Sequence, residues 1–312
     1  MNELQIESIH CDRLTITGRL DWTRQRNSAG DWQNYSHVLA KLFNPIESHI
    51  VRYPNMDNGL YSDNFTIPIQ EQGSSIFIQV NKQYSSSQRD FRADFNPAKL
   101  TKKEAEWLAK ILGRIKEKRA TRIDMAANIH HNLKAYKLTD GRQRSSVEFK
   151  DRYGNIETLY RGSKNSDNYL KLYDKKKERA SKYREVEHDW WRIEETIKDA
   201  KANTWNTYPW FNGIILATNK PIFPKEVDGK KVTVSQECEA LCIMNDLRTM
   251  EEFSVNHRTR LRKIITAVTY EGGLNLQEEI KKAPYQQMLE DALKEINYFL
   301  MNAPTDQGRA NF

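Results

Sequence analysis

Arg122-Ile123-Asp124-Met125-Ala126-Ala127-Asn128-Ile129 alternates along its whole length. On an extended chain Ile123, Met125, Ala127 and Ile129 share one face, while Arg122, Asp124 and Asn128 point the other way. That period of two predicts a half-buried strand. Two further stretches repeat the pattern. Phe91-Arg92-Ala93-Asp94-Phe95 sets three apolar residues against Arg92 and Asp94, and Trp191-Arg192-Ile193-Glu194 sets Trp191 and Ile193 against Arg192 and Glu194. Arg-x-acid therefore occurs on three predicted strands. If these strands are neighbours, the polar face of one sheet carries three acids and three arginines. The ordinary explanation is a solvated face with cross-strand ion pairs.

Working outward, the first ninety residues read as strands and loops, with Leu14–Gly18 and Ile76–Val80 as β-rich pieces. Thr101 and Glu104 have capping-box spacing, and Leu108, Ile111, Leu112 and Ile115 then form one apolar helical stripe. Gly213–Ala217 reads as a buried strand. The stretch Thr218–Pro224 and the hairpin-like Val227–Lys230 are turn-rich. Beyond them, Glu237 to Phe253, Arg258 to Tyr270 and Leu276 to Asn302 are helix candidates. The fold class expected is α+β. The organisation expected is a β-rich part over 1–200 and a mostly helical part over 201–312.

Composition limits the function classes. The 312 residues are 38% hydrophobic and 10% aromatic, which suits a folded chain with a sizeable core. No apolar run approaches the ~20 residues that a membrane helix needs. Met1-Asn2-Glu3-Leu4-Gln5 has neither the basic start nor the apolar stretch of a secretory signal. A cytoplasmic protein without membrane contact is expected. Cys11, Cys238 and Cys242 make no disulfide framework. Cys238 and Cys242 share a helix face and read as two free core thiols, because no second Cys or His pair has zinc spacing. The 49 Lys+Arg outnumber the 42 Asp+Glu by seven, a balance that suits a polyanionic partner. No G-x-x-x-x-G-K-[ST] loop points to a nucleotide-driven enzyme, and Gly272-Gly273 is only a turn signal.

The densest basic feature follows a tyrosine. Lys171, Lys175, Lys176, Lys177, Arg179, Lys182 and Arg184 face two acids within 171–184. Alternation puts Leu170 and Leu172 on one side, and Tyr169, Lys171 and Tyr173 on the other. Charge runs of this kind are most often solvated helices. The sharper reading is a tyrosine beside cations that hold a phosphodiester. A phenol of pKa about 10 attacks phosphorus only when it is activated, by neighbouring cations or by a metal on hard carboxylate ligands. Asp94, Asp124 and Glu194 are the carboxylates available on the predicted sheet face.

Four stretches then match, in order, the Rep_trans family of rolling-circle plasmid replication initiators from Gram-positive bacteria. Asp94-Phe95-Asn96-Pro97-Ala98-Lys99-Leu100-Thr101 resembles that family's EFNPxKLT, and Thr121-Arg122-Ile123-Asp124 its TRLD. Tyr160–Ser166 followed by Leu172–Arg179 resembles YxGxRxS…xxYxKKxER, and Trp191–Glu194 resembles WRVE. Asn256-His257-Arg258-Thr259-Arg260 is a weaker match to NSRTK. Together these cover most of 90–263.

The resemblance implies an antiparallel central sheet flanked by helices, related to the HUH endonucleases but without their paired-histidine motif. His130 and His131 are adjacent and form no His-x-His. It implies that Tyr173 nicks the origin strand, keeps its 5′-phosphate covalently and leaves a 3′-OH primer. It implies a divalent metal, Mg²⁺ or Mn²⁺, on Asp124 and Glu194 with Asp94 at an adjoining acidic position. It further implies a homodimer, plasmid origin DNA and a host helicase as partners, and origin specificity around 254–263. Lys171, Lys175, Lys176, Asn256, Arg258, Arg260, Arg262 and Lys263 are the DNA-binding candidates. Two departures bear on the ligand count: Asn128 stands where the family has a second Asp, and Thr196 where it often has another Glu.

Two other readings compete. His257-Arg258-Thr259-Arg260 satisfies the His-x-x-Arg pattern of tyrosine recombinases, with Tyr285 as a nucleophile that would form a 3′-phosphotyrosine. A non-catalytic, sequence-specific DNA-binding protein would explain the basic charge but not the four ordered motifs.

Overall fold

The structure is a computed structural model. It describes residues 5–43, 51–54, 61–82, 89–134, 136–139, 145–154, 156–180, 188–217, 221–245, 247–270 and 274–301. Lys182, Arg184, Thr218–Lys220, Gly272, Gly273 and Asn302 lie outside the described residues. The fold is α+β, an antiparallel sheet with helices, as expected. Two compact units are interleaved along the chain. One comprises Met1–Ile9, Ala127–Glu195 and Pro209–Gln287, and the other His10–Ala126, Thr196–Tyr208 and Met288–Phe312. Residues 200 and 201 fall together inside the second unit.

In the unit that contains Tyr173, the strands run in the order Ser146–Lys150, Ile156–Arg161, Asn168–Asp174, Trp191–Lys198 and then the end of Lys116–Ile129. The first two pairings are antiparallel. A small sheet joins Lys137–Thr139, Ile215–Ala217 and Leu274–Asn275, so the expected strand over Gly213–Ala217 is present in its second half.

The helical part of this unit is shorter-jointed than the periodicity predicts. Val234–Met244 ends at Asn245, and a single 3-10 turn at Met250–Glu252 replaces the expected continuation to Phe253. Val255–Thr266 follows. Val232, Ala240, Ile243, Met250, Leu261 and Ile264 close over one another as its core. The Cys238 and Cys242 expectation is corrected here. Ala240 and Ile243 face that core, whereas Cys238 is exposed and Cys242 half-buried; both are free thiols. The expected Leu276–Asn302 helix is two helices, Leu276–Ile280 and Tyr285–Leu300. Pro284 separates them, since it offers no N–H and would clash with the preceding turn.

In the other unit the order is Lys116–Ile129, Ile6–Arg19, Phe91–Phe95, Ser75–Lys82, Tyr61–Pro68 and Val51–Pro54. The Lys102–Leu112 helix carries the predicted capping box, with Thr101 and Glu104 each accepting from the other's backbone N–H, and buries Leu108, Ile111 and Leu112. A cap of this kind contributes about 1 kcal/mol. Among the described residues no helix is long and apolar enough to cross a membrane.

On the Tyr285–Leu300 helix, Ala292, Ile296 and Phe299 are buried, and the Phe299 ring meets Phe95 edge-on. Glu295 lies on the same helix, and burial pushes its carboxyl up to about 7. An unfolded glutamate titrates near ~4.3. Between those values the folded chain keeps a proton that the unfolded chain has released. This contribution is therefore fully present below the window and is lost as pH rises through it. Glu295→Gln is expected to stabilise the fold by about 2–3 kcal/mol at about pH 8 and to change little at about pH 4. Urea unfolding at the two pH values checks this; coincident curves at the higher pH would mean a solvated carboxylate.

Candidate functional site

Tyr173 ends the Asn168–Asp174 strand, whose Leu170 and Leu172 anchor the opposite face in the core. Its side chain is only 5% exposed. The Tyr173 hydroxyl donates to Glu194 Oε1 at 2.7 Å, and Lys175 Nζ approaches the hydroxyl oxygen at 3.4 Å. Lys171 Nζ stands 3.7 Å from the Tyr173 ring centroid, a cation–π contact. Lys171 Nζ and Arg192 Nη1 are each 3.7 Å from a Glu194 oxygen. Burial foremost, and then the Glu194 charge, hold the Tyr173 hydroxyl far above the ordinary phenol value, with Arg192 working against them. At rest the tyrosine is thus a neutral phenol whose proton already points at a carboxylate.

The basic turn after Tyr173 is a helix, Lys175–Ala180, and Asp174 accepts from the Lys177 amide at its start. Lys175 pairs with Glu178 and Lys177 with Glu157. Lys176 is half-buried and its amide donates to the Trp190 carbonyl.

The three Arg-x-acid faces are only partly solvated: Arg92 and Arg122 keep 30% and 25% of their side chains exposed. Asp94, Asp124, Asn128 and Arg192 are all buried. Ion pairing and hydrogen bonding make that burial tolerable. Asp124 takes both Nε and Nη2 of Arg122, at 2.8 and 2.7 Å. Asp94 takes both from Arg13, at 2.8 and 2.7 Å, and Nη2 of Arg92 at 2.7 Å. The Phe91–Phe95 and Lys116–Ile129 strands are not direct neighbours, because Ile6–Arg19 lies between them. Arg192 Nε donates to Asn128 Oδ1 at 2.8 Å, and Asn128 donates to Ser8 Oγ at 2.8 Å, so Asn128 both accepts and donates.

These carboxylates do not fit a divalent cation as they stand. Asp94 and Asp124 have both oxygens engaged by guanidinium, and Glu194 is held by Tyr173. Among the described residues no group of three or more His, Cys, Asp or Glu side chains converges as metal ligands.

Sequence reading missed two residues. Arg13 carries no motif signal; only the fold brings it to Asp94. Glu195 was legible: alternation puts it on the Trp191 and Ile193 side, where a carboxylate has to be hydrogen bonded. It accepts from Asn168 Nδ2 at 2.9 Å and from the Phe211 amide at 2.6 Å.

The candidates on the Val255–Thr266 helix divide into two sets. Arg260 donates to the carbonyls of Val227, Lys230 and Lys231 at 2.5, 2.8 and 3.3 Å, and Lys263 Nζ pairs with Asp228 at 2.6 Å. Both tie the helix to the hairpin Glu226–Lys231, whose Asp228-Gly229 turn has positive φ at both positions. Asn256 and Arg262 are exposed and Arg258 is half-buried. His257 bonds Glu239 at 2.7 Å, so the His and Arg of the recombinase pattern both hold protein partners.

No family model matches the chain. A replication initiation protein of Staphylococcus aureus is 24% identical over 283 residues, which is 89% of this chain and 81% of that protein. The chain is similar to replication initiation proteins. A second from the same organism is 27% identical over 203 residues (64% of this chain, 59% of the relative), and a third 31% over 137 residues (42% and 44%). The resemblance carried by the motifs stands. Among solved structures, a rolling circle replication initiator protein from Geobacillus stearothermophilus aligns with a TM-score of 0.38 and 16% identity, covering 63% of this chain and 76% of that one.

Proposed function

We propose that the chain is a rolling-circle plasmid replication initiator that nicks one origin strand through Tyr173 and later rejoins it. The observation that carries this reading is the 2.7 Å contact from the Tyr173 hydroxyl to Glu194, set among Lys171, Lys175 and Arg192. The phenol oxygen attacks phosphorus and the bond to the 3′ oxygen breaks. The phenolic proton passes to Glu194 and returns to the departing 3′ oxygen, which becomes the primer hydroxyl. Lys171, Lys175 and Arg192 offset the charge that grows on the phosphoryl oxygens. The product is a 5′-phosphotyrosine. Lys176, Asn256, Arg258 and Arg262 are assigned to origin DNA. A homodimer, a host helicase and a cytoplasmic setting complete the reading that the resemblance supports.

The test is conversion of a supercoiled plasmid with the cognate origin to open circles, with Mg²⁺ or Mn²⁺ present and with chelator. Open circles with protein on the 5′ end are expected. Protein on the 3′ end would overturn the assignment in favour of a recombinase-type transfer. Specific binding without cutting would leave a DNA-binding protein. Cutting that stops on chelation would overturn the account of Asp94 and Asp124 as closed by arginine.

A further inference from the structure

The sheet face that carries Tyr173 continues beyond it. Directly paired residues on antiparallel strands project to one face. Tyr173 pairs with Thr158 and Thr158 with Phe149, while Lys171 pairs with Tyr160 and Tyr160 with Val147. Two rows therefore run from the tyrosine across the Ile156–Arg161 strand to Ser146–Lys150, the end strand of the order. With strands ~4.8 Å apart, Phe149 stands about 10 Å from Tyr173.

The outer end of these rows is apolar and open. Phe149 is 57% exposed, Val147 53%, and Tyr153 in the connecting turn 72%. Phe149 and Tyr160 meet with centroids 6.1 Å apart at 78°. Tyr160 and Tyr173 on these rows, and Tyr153 in the turn beside them, each have a cation over the ring. Lys164 Nζ lies 4.5 Å from the Tyr160 centroid and the Arg152 guanidinium 4.6 Å from that of Tyr153, as Lys171 does at Tyr173.

Clustered exposed rings mark a contact surface rather than scattered surface apolarity. Stacking rings interleaved with cations is the arrangement that holds unpaired nucleotides. We propose that this row is a stacking platform for single-stranded DNA, which seats the strand beside the scissile phosphate through Phe149 and Tyr160, with Lys164, Lys171 and Arg152 against its phosphates. The inference rests on the reading of Tyr173 as nucleophile and names how that site takes its strand. Charge decides against a second copy of the chain as occupant. The cations complement phosphate, whereas two copies meeting here would oppose like charges.

Fluorescence anisotropy with a labelled mixed-sequence single strand, and with the duplex of the same sequence, tests it. Base–ring stacking is strong enough that Phe149→Ala is expected to weaken single-strand binding about tenfold. Duplex binding should not change. Phe149→Tyr should restore single-strand binding and Phe149→Leu should not. Because Phe149 is largely exposed, these variants are expected to keep the fold, with circular dichroism as the check. Unchanged single-strand affinity in Phe149→Ala overturns the proposal, as does rescue by Leu equal to rescue by Tyr. A lower sedimentation mass with unchanged affinity gives the surface to a second copy. If the wild type nicks its origin while Phe149→Ala binds single strands equally well, the platform alone falls. If the wild type neither nicks nor binds single strands, the initiator reading falls with it.

Discussion

Tyr173→Phe is expected to bind origin DNA as the wild type does and to cut it slower by on the order of a million-fold, the scale seen when a covalent nucleophile is removed. The change deletes one oxygen. Lys171 keeps its ring contact and Leu170 and Leu172 keep their packing, so the strand has no reason to move. What disappears is the only atom at this position able to join phosphorus, together with the hydrogen bond to Glu194. The readouts are open-circle formation and protein–DNA adducts on a denaturing gel. Tyr169, on the same side of the strand by alternation, is the internal control: Tyr169→Phe should still cut. Adducts persisting in Tyr173→Phe and vanishing in Tyr169→Phe would reassign the nucleophile.

Glu194→Gln is expected to reduce cutting about 10²- to 10⁴-fold, the usual worth of a positioned proton acceptor. An amide oxygen still accepts from the phenol, so the geometry around Tyr173 survives, but it cannot take the proton. Lys171 and Arg192 lose a nearby negative charge, which would if anything strengthen DNA binding. A split between intact or tighter binding and slowed cutting separates proton transfer from a merely structural role. Cutting at the wild-type rate would remove Glu194 from the chemistry and leave the three cations as the activating groups.

The period-two pattern and the capping box were readable because both are local: each depends on residues within a few positions. Phe91–Phe95 and the Thr101 cap are therefore found as predicted. What alternation could not say was which strands meet. Arg13 reaches Asp94 from 81 residues away, along a strand with no Arg-x-acid pattern of its own, and so the assembly of acids became a set of arginine pairs. The same limit applied to the basic helix. Arg260 looked like a DNA contact because its sequence neighbours are cationic, and only the fold sets the hairpin's carbonyls within its reach. The long helices were over-extended for a different reason. Apolar periodicity carries through Asn245 and resumes after Pro284, while backbone chemistry interrupts it.

The Arg260 clamp bears on what can be grafted from this part of the fold. Helix Val255–Thr266 and hairpin Glu226–Lys231 are stapled by one guanidinium across three carbonyls and by the Lys263–Asp228 pair. They form one stapled piece rather than a free-standing helix. A chimera that swaps the helix alone strands those carbonyls and tilts the graft; one that carries residues 226–266 moves the staple with it.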